Sequence, residues 1–149
     1  MKIIGCGNQE RGDDQAGLVV ATRLRQAGLD AEVHTGDALS LIEKWGAADD
    51  VILIDAVVSG RAAGTVHVWD SALPGSELPN AAGGSAVSSH GFDIARAIEL
   101  ARGLGKLPLR LRIYGVEGLN FERGTNMSPE VSAAVDRVVQ KIRKEIASS

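Results

Sequence analysis

The chain has 149 residues, 44% hydrophobic and 23% charged, and 16 Lys and Arg stand against 19 Asp and Glu for a formal charge of -3. That composition suits a single globular domain able to bury about two-thirds of its unfolded surface, and it excludes collagen, a low-complexity polymer and a wholly disordered chain. The mild acidity argues against a nucleic-acid grip, no apolar run approaches the roughly 20 residues that span a bilayer, and a lone Cys6 leaves neither a disulfide framework nor a multi-cysteine zinc site.

Lys2-Ile3-Ile4 reads as a first, buried strand, stopped by a turn at Gly5-Cys6-Gly7-Asn8. The apolar stretch is too short for a signal peptide, so a cytoplasmic protein is expected. Asp13 or Asp14 can cap a helix that runs to Gln26 with Leu18, Ala21 and Leu24 inward, and Ala27-Gly28 stops it. Ala31–His34 is a second strand. Asp37 can cap a short helix carrying Leu39, Ile42 and Trp45. Asp50–Asp55 is a near-continuous apolar run, as expected of a central strand covered on both faces.

Gly64–Trp69 alternates and forms a fourth strand. About eight residues separate it from the third, too few for a helical crossover, so it is expected to run antiparallel near an edge. Residues 71–88 are rich in Ser, Gly, Ala and Pro and read as a loop. A helix is expected from Gly91 to Arg102, with Ile94, Ile98 and Ala101 inward. Leu109–Tyr114 is the fifth strand, and Glu117–Met127 a second long loop. Ser128-Pro129-Glu130 is a helix start, with Ser as N-cap and Pro at the first helical position. The last helix carries Val131, Val135, Val138, Ile142 and Ile146 on one face. The order β-α-β-α-β-β-α-β-α specifies one α/β domain over residues 1–149 with three layers.

In such sheets ligands collect beyond the C-terminal ends of the parallel strands. Three polar segments belong there: residues 5–14 after the first strand, Asp55 closing the third, and Ser88-Ser89-His90-Gly91 before the third helix. Asp14, Asp55 and His90 together form a mixed oxygen and nitrogen donor set that suits Zn, Ni, Mn or Fe, with positions left for water or substrate. If Asp13 caps the helix, Asp14 is left for chemistry. His34 and His67 lie within strands, where a structural role is expected, and Cys6 is expected to be a small buried residue. Gly5-Cys6-Gly7 begins a dinucleotide fingerprint, but the next glycine is Gly12, off the required spacing, and Glu10, Asp13 and Asp14 would repel a pyrophosphate. No G-x-S-x-G elbow accompanies Ser89 and His90, so a serine triad is discarded.

These segments resemble the maturation endopeptidases of nickel–iron hydrogenases. The resemblance is carried by Gly5-Cys6-Gly7-Asn8, Gly12-Asp13-Asp14-Gln15-Ala16-Gly17, Val51–Val57, Ser89-His90, Gly115-Val116-Glu117 and Met127–Val131. It implies a three-layer α/β/α fold with a five-stranded mixed sheet and one antiparallel strand. It implies removal of a C-terminal extension from a hydrogenase large-subunit precursor, with the substrate's nickel contacted by Asp14, Asp55 and His90, which then serve as both catalytic and metal residues. Nickel comes with the substrate; zinc or another divalent ion can occupy the same donors in vitro. Neither nucleic acid nor membrane is expected as a partner. Two other readings stand beside this one: a non-catalytic metal-sensing or docking protein for hydrogenase assembly, and a nucleotide-binding domain.

Overall fold

The computed structural model describes residues 1–73, 87–88 and 94–148. Its elements are β1 (Lys2–Cys6), a 3-10 turn (Gly12–Gln15), α1 (Ala16–Gln26), β2 (Ala31–His34), α2 (Ala38–Trp45), β3 (Asp50–Val58), β4 (Val66–Asp70), β5 (Val87–Ser88), α3 (Ile94–Gly103), β6 (Arg110–Glu117) and α4 (Pro129–Ala147).

Five strands run in the order β2-β1-β3-β6-β4. β1, β2, β3 and β6 are parallel, and β4 pairs antiparallel with β6 at the edge, as the short β3–β4 link requires. The expected five-stranded mixed sheet is therefore observed. Part of the stretch read as a loop is not one: Val87–Ser88 forms a two-residue strand antiparallel to the end of β3.

Alternation along the strands builds two cores, one on each face of the sheet. Ile3, Ile52, Ile54, Tyr114 and Val116 pack under α1 and α4 with Leu24, Val131, Val135 and Ile142. Ile4, Cys6, Leu53, Leu111 and Ile113 pack under α2 and α3 with Ile42, Trp45 and Ile98. Aliphatic residues and Ala dominate both, as a chain with 3% aromatics demands. Glycine permits the closest approach: a Cβ on Gly5 would strike the Gly17 carbonyl, and one on Gly17 would strike the carbonyls of Cys6 and Ile54. Helix α1 thus lies directly on the backbones of β1 and β3. Among the described residues, no helix is long and apolar enough to cross a membrane.

Four local expectations are corrected. Neither Asp13 nor Asp14 caps α1; both lie in the 3-10 turn, and the N-cap is Gln15, with no side-chain cap bond. On α2, Leu39 is exposed and Leu41 takes the inward place, although Asp37 does cap as expected, accepting from the Ser40 N–H at 2.8 Å. Strand β6 continues three residues past Tyr114, so Glu117 ends a strand rather than opening a loop. Ser128 holds the N-cap position of α4 with Pro129 following, but its hydroxyl does not cap the helix; it is used elsewhere.

Candidate active site

Helix α1 links β1 to β2 on one face of the sheet, and α2 links β2 to β3 on the other. The two connections leave opposite faces, so a crevice opens beyond the C-terminal ends of β1 and β3, the switch point where open α/β sheets bind ligands. Residues 7–14 follow β1 at this point, and Asp55 stands beside it on β3, not closing the strand as expected but three residues before its end at Val58.

Asp14 and Asp55 are both 0% exposed. The turn that carries Asp14 packs against β3. A Cβ on Gly7 would collide with the Asp14 carbonyl, and the Asn8 N–H donates to that oxygen at 3.2 Å. The loop after β1 is thereby folded back onto Asp14. On β3, alternation puts Asp55 on the α2/α3 face with Val51 and Leu53. One of its oxygens accepts the Ala56 N–H at 2.8 Å. Cys6 reports the proximity of Asp55: burial first, then the Asp55 charge, pushes the thiol well above its ordinary pKa, with Lys44 opposing. At neutral pH Cys6 is a thiol and no nucleophile.

Asp13, the neighbour of Asp14, proves to be an anchor. Its carboxylate accepts the N–H groups of Leu119 (2.7 Å), Asn120 (2.8 Å) and Ser128 (2.6 Å), and the Ser128 hydroxyl at 2.7 Å. Its own N–H donates to the Asn120 carbonyl. Burial alone would push this carboxyl up; the hydrogen bonds from Asn120, Ser128 and Leu119 outweigh it and hold the group below the usual carboxylate range. The turn carrying Asp14 is thus bolted to the β6–α4 connection and to the start of α4.

The structure brings Asp14 and Asp55 to the crevice. His90, the third residue of the expected set, lies outside the described residues, and so do Gly91 and the rest of the expected helix start. Among the described residues, no three His, Cys, Asp or Glu side chains converge on a metal position. His34 ends β2 almost buried, with Nε2 3.0 Å from the Asp37 carbonyl oxygen.

Two features escaped the sequence reading. One is the anchoring role of Asp13. The other is a cluster of Ser59, His67 and Glu117 at the C-terminal end of β6, beyond the expected end of that strand at Tyr114. The apolar run continuing through Tyr114-Gly115-Val116 is the signal for a longer strand covered on both faces. A cavity of about 660 Å³ also opens at the opposite end of the sheet. Four of its wall's charged groups are paired there, Arg110 with Asp70 and Arg112 with Asp50, and Arg112 reaches Glu145 as well; it is remote from the crevice.

A family model described as hydrogenase maturation protease, HycI, matches residues 27–145. A Methanocaldococcus jannaschii protein provisionally named a hydrogenase maturation protease is 28% identical, with 97% of this chain and 94% of the relative covered. Among solved structures, the hydrogenase maturation protease HybD from Thermococcus kodakarensis superposes with a TM-score of 0.72 at 22% identity, covering 97% of this chain and 98% of that one. The hydrogenase maturating endopeptidase HybD from E. coli gives 0.72 at 22% identity, covering 99% and 93%. At these identities the two structures establish the shared fold.

Proposed function

This chain belongs to the hydrogenase maturation protease family and is a peptidase, and from that premise we propose that it removes the C-terminal extension of a nickel-loaded hydrogenase large-subunit precursor. Asp14, Asp55 and His90 contact the nickel that the precursor presents. The observation that carries this reading is the pair Asp14 and Asp55, two carboxylates wholly withdrawn from water on elements that pack together at the switch point of the sheet. Carboxylate oxygens are hard donors, and two of them on neighbouring elements suit a divalent cation. Two carboxylates and an imidazole form a donor set that accepts nickel, and zinc in vitro.

Nickel bound there supplies Lewis acidity to a nearby carbonyl or water. The chain's own residues do the rest. Asp13 and the Gly5–Gly17 contact hold the Asp14 turn rigid, so that the carboxylates are positioned before substrate arrives. A set of three protein donors binds metal weakly by itself, which makes the loaded precursor, rather than free ion, the preferred ligand. The reaction is placed in the cytoplasm, the default for a mildly acidic chain with one cysteine.

The test is the mass of a large-subunit precursor from the same organism after incubation with this protein, with and without nickel loaded, beside an Asp14→Asn control. Loss of a C-terminal peptide only from the nickel-loaded precursor, and only with the unsubstituted protein, is the expected result. A nickel-loaded precursor that binds but stays intact would replace the protease by a docking protein.

A further inference from the structure

The carboxylate of Glu117 is nearly buried, its side chain 2% exposed. It accepts the Ser59 N–H at 2.8 Å and the Ser59 hydroxyl at 2.5 Å, and His67 Nε2 lies 3.0 Å away. Burial pushes the Glu117 carboxyl up, but the bonds from Ser59 and His67 and the nearby imidazole hold it below its usual range. An ionised carboxylate only accepts, so Nε2 carries the hydrogen of this contact. The ring is also stacked on Trp69, with centroids 5.9 Å apart and planes 16° from parallel. The imidazole is therefore held on its face and at one nitrogen. Its Nδ1 has no hydrogen-bond partner among the described residues.

The set is not a nucleophilic triad. Ser59 Oγ lies 3.4 Å from the same Nε2 that faces Glu117, and it gives its proton to Glu117. A triad needs acid and nucleophile on opposite ring nitrogens. The location suggests another use. Register pairs Asp55 with Gly115 and Gly115 with His67. The three residues form one row on one face of the sheet, and two strand spacings, about 10 Å, separate the outer Cα atoms. Gly115, in the middle, adds no side chain; Val57 and Trp69 approach to 3.1 and 3.3 Å of the place its Cβ would take. His67 stands at the β4 edge of this row with its side chain 20% exposed.

We infer that His67 is a substrate-contacting residue, its Nδ1 hydrogen-bonding the backbone of the precursor's C-terminal segment as that segment crosses the β4 edge toward Asp55. A peptide backbone supplies a partner for either form of the ring: its N–H to the neutral imidazole, its C=O to the protonated one. The inference rests on the protease reading. It also gives a use to the fixing of one partly exposed imidazole by a buried carboxylate that Ser59 holds in place: a recognition group so held loses less freedom on binding.

His67→Gln separates contact from clamp, because the glutamine amide reaches the place of Nε2 and leaves nothing at Nδ1. Nickel-loaded precursor, and the same subunit lacking its extension, are bound to each protein by biolayer interferometry at 4 °C, beside thermal melts. The expected result is about tenfold weaker binding of the full precursor to the variant, the worth of one hydrogen bond. Binding of the extension-free subunit and the melting temperature stay as in the wild type. Equal affinity of both proteins for the full precursor overturns the inference and leaves the protease reading standing. Equal weakening toward both ligands, with a lowered melting temperature, also overturns it, by making His67 a clamp only. A wild type that binds but does not cleave the nickel-loaded precursor overturns the protease reading, while the ratio of affinities still decides the contact. A wild type that binds no precursor overturns both.

Discussion

Ser128 gives both its backbone N–H and its hydroxyl to the carboxylate of Asp13, at 2.6 and 2.7 Å, although 115 residues separate the two in sequence. This contact joins the turn after β1 to the start of the last helix and holds Asp14 in place at the crevice. Asp13→Asn keeps the shape, but its amide nitrogen faces donors instead of accepting from them. With four donors converging, the loss is expected to be about 2–4 kcal/mol, read as a lowered urea midpoint at unchanged m-value.

The same group sets an acid limit. The folded-state pKa of Asp13 lies below its unfolded value. Its contribution is therefore full above the unfolded pKa and disappears as pH falls through the folded one. Glu117 is depressed in the same direction, burial opposing and Ser59 and His67 prevailing. Stability is expected to fall steeply below about pH 4, and the slope should be shallower in Asp13→Asn. Urea titrations at pH 3 to 6 on both proteins check this; parallel pH profiles would sink it.

Asp14→Asn removes charge from the crevice and leaves the turn's backbone bonds intact. Under the proposed role of Asp14, precursor cleavage is expected to fall by at least about 100-fold while the melting temperature holds or rises, the trade between stability and activity common at functional sites. Mass spectrometry of the precursor and a thermal melt measure the two effects. A variant that is both inactive and unstable would make Asp14 structural.

Gly5→Ala tests the close seating of α1. The new methyl would meet the Gly17 carbonyl and the Ala21 Cβ. Neither backbone can move without displacing the other, so the loss is expected at or above about 3 kcal/mol, the upper range for overpacking. Circular dichroism during urea unfolding gives the number. Gly28→Ala is a useful contrast: nothing lies near its Cβ position, and only the left-handed φ of 91° resists.

Tyr114 is the only tyrosine, so absorbance at 295 nm reports it alone. Burial first, then the hydrogen bond it donates to Glu145 and the charge of that group, pushes its pKa well above 10. The sign follows: the neutral phenol stabilises the fold below pH 10, and stability declines as pH rises beyond the unfolded value of about 10. The absorbance change is expected to coincide with alkaline unfolding seen by far-UV circular dichroism. Ionisation in a still-folded protein would contradict the burial argument.

Local periodicity made much of the molecule legible from the residues. The apolar run of β3 and the stripes of α1 and α4 could be read because burial on one face repeats every two or 3.6 residues. The three-layer order and the antiparallel edge strand followed from the pattern and from one short link. The positions of Asp14 and Asp55 were legible because loops after parallel strands gather at one end of the sheet, and the family resemblance agreed with a set already drawn from that rule. The division of labour between Asp13 and Asp14 was not legible. Adjacent aspartates look alike in sequence, and the groups that make one an anchor arrive from Leu119, Asn120 and Ser128. The link from Glu117 to His67 was hidden for the same reason, since it depends on the register of β4 on β6. Partners brought together across 50 to 115 residues leave no periodic trace in the chain, so only the packed sheet decided that Asp13 anchors the turn and that Glu117 holds His67.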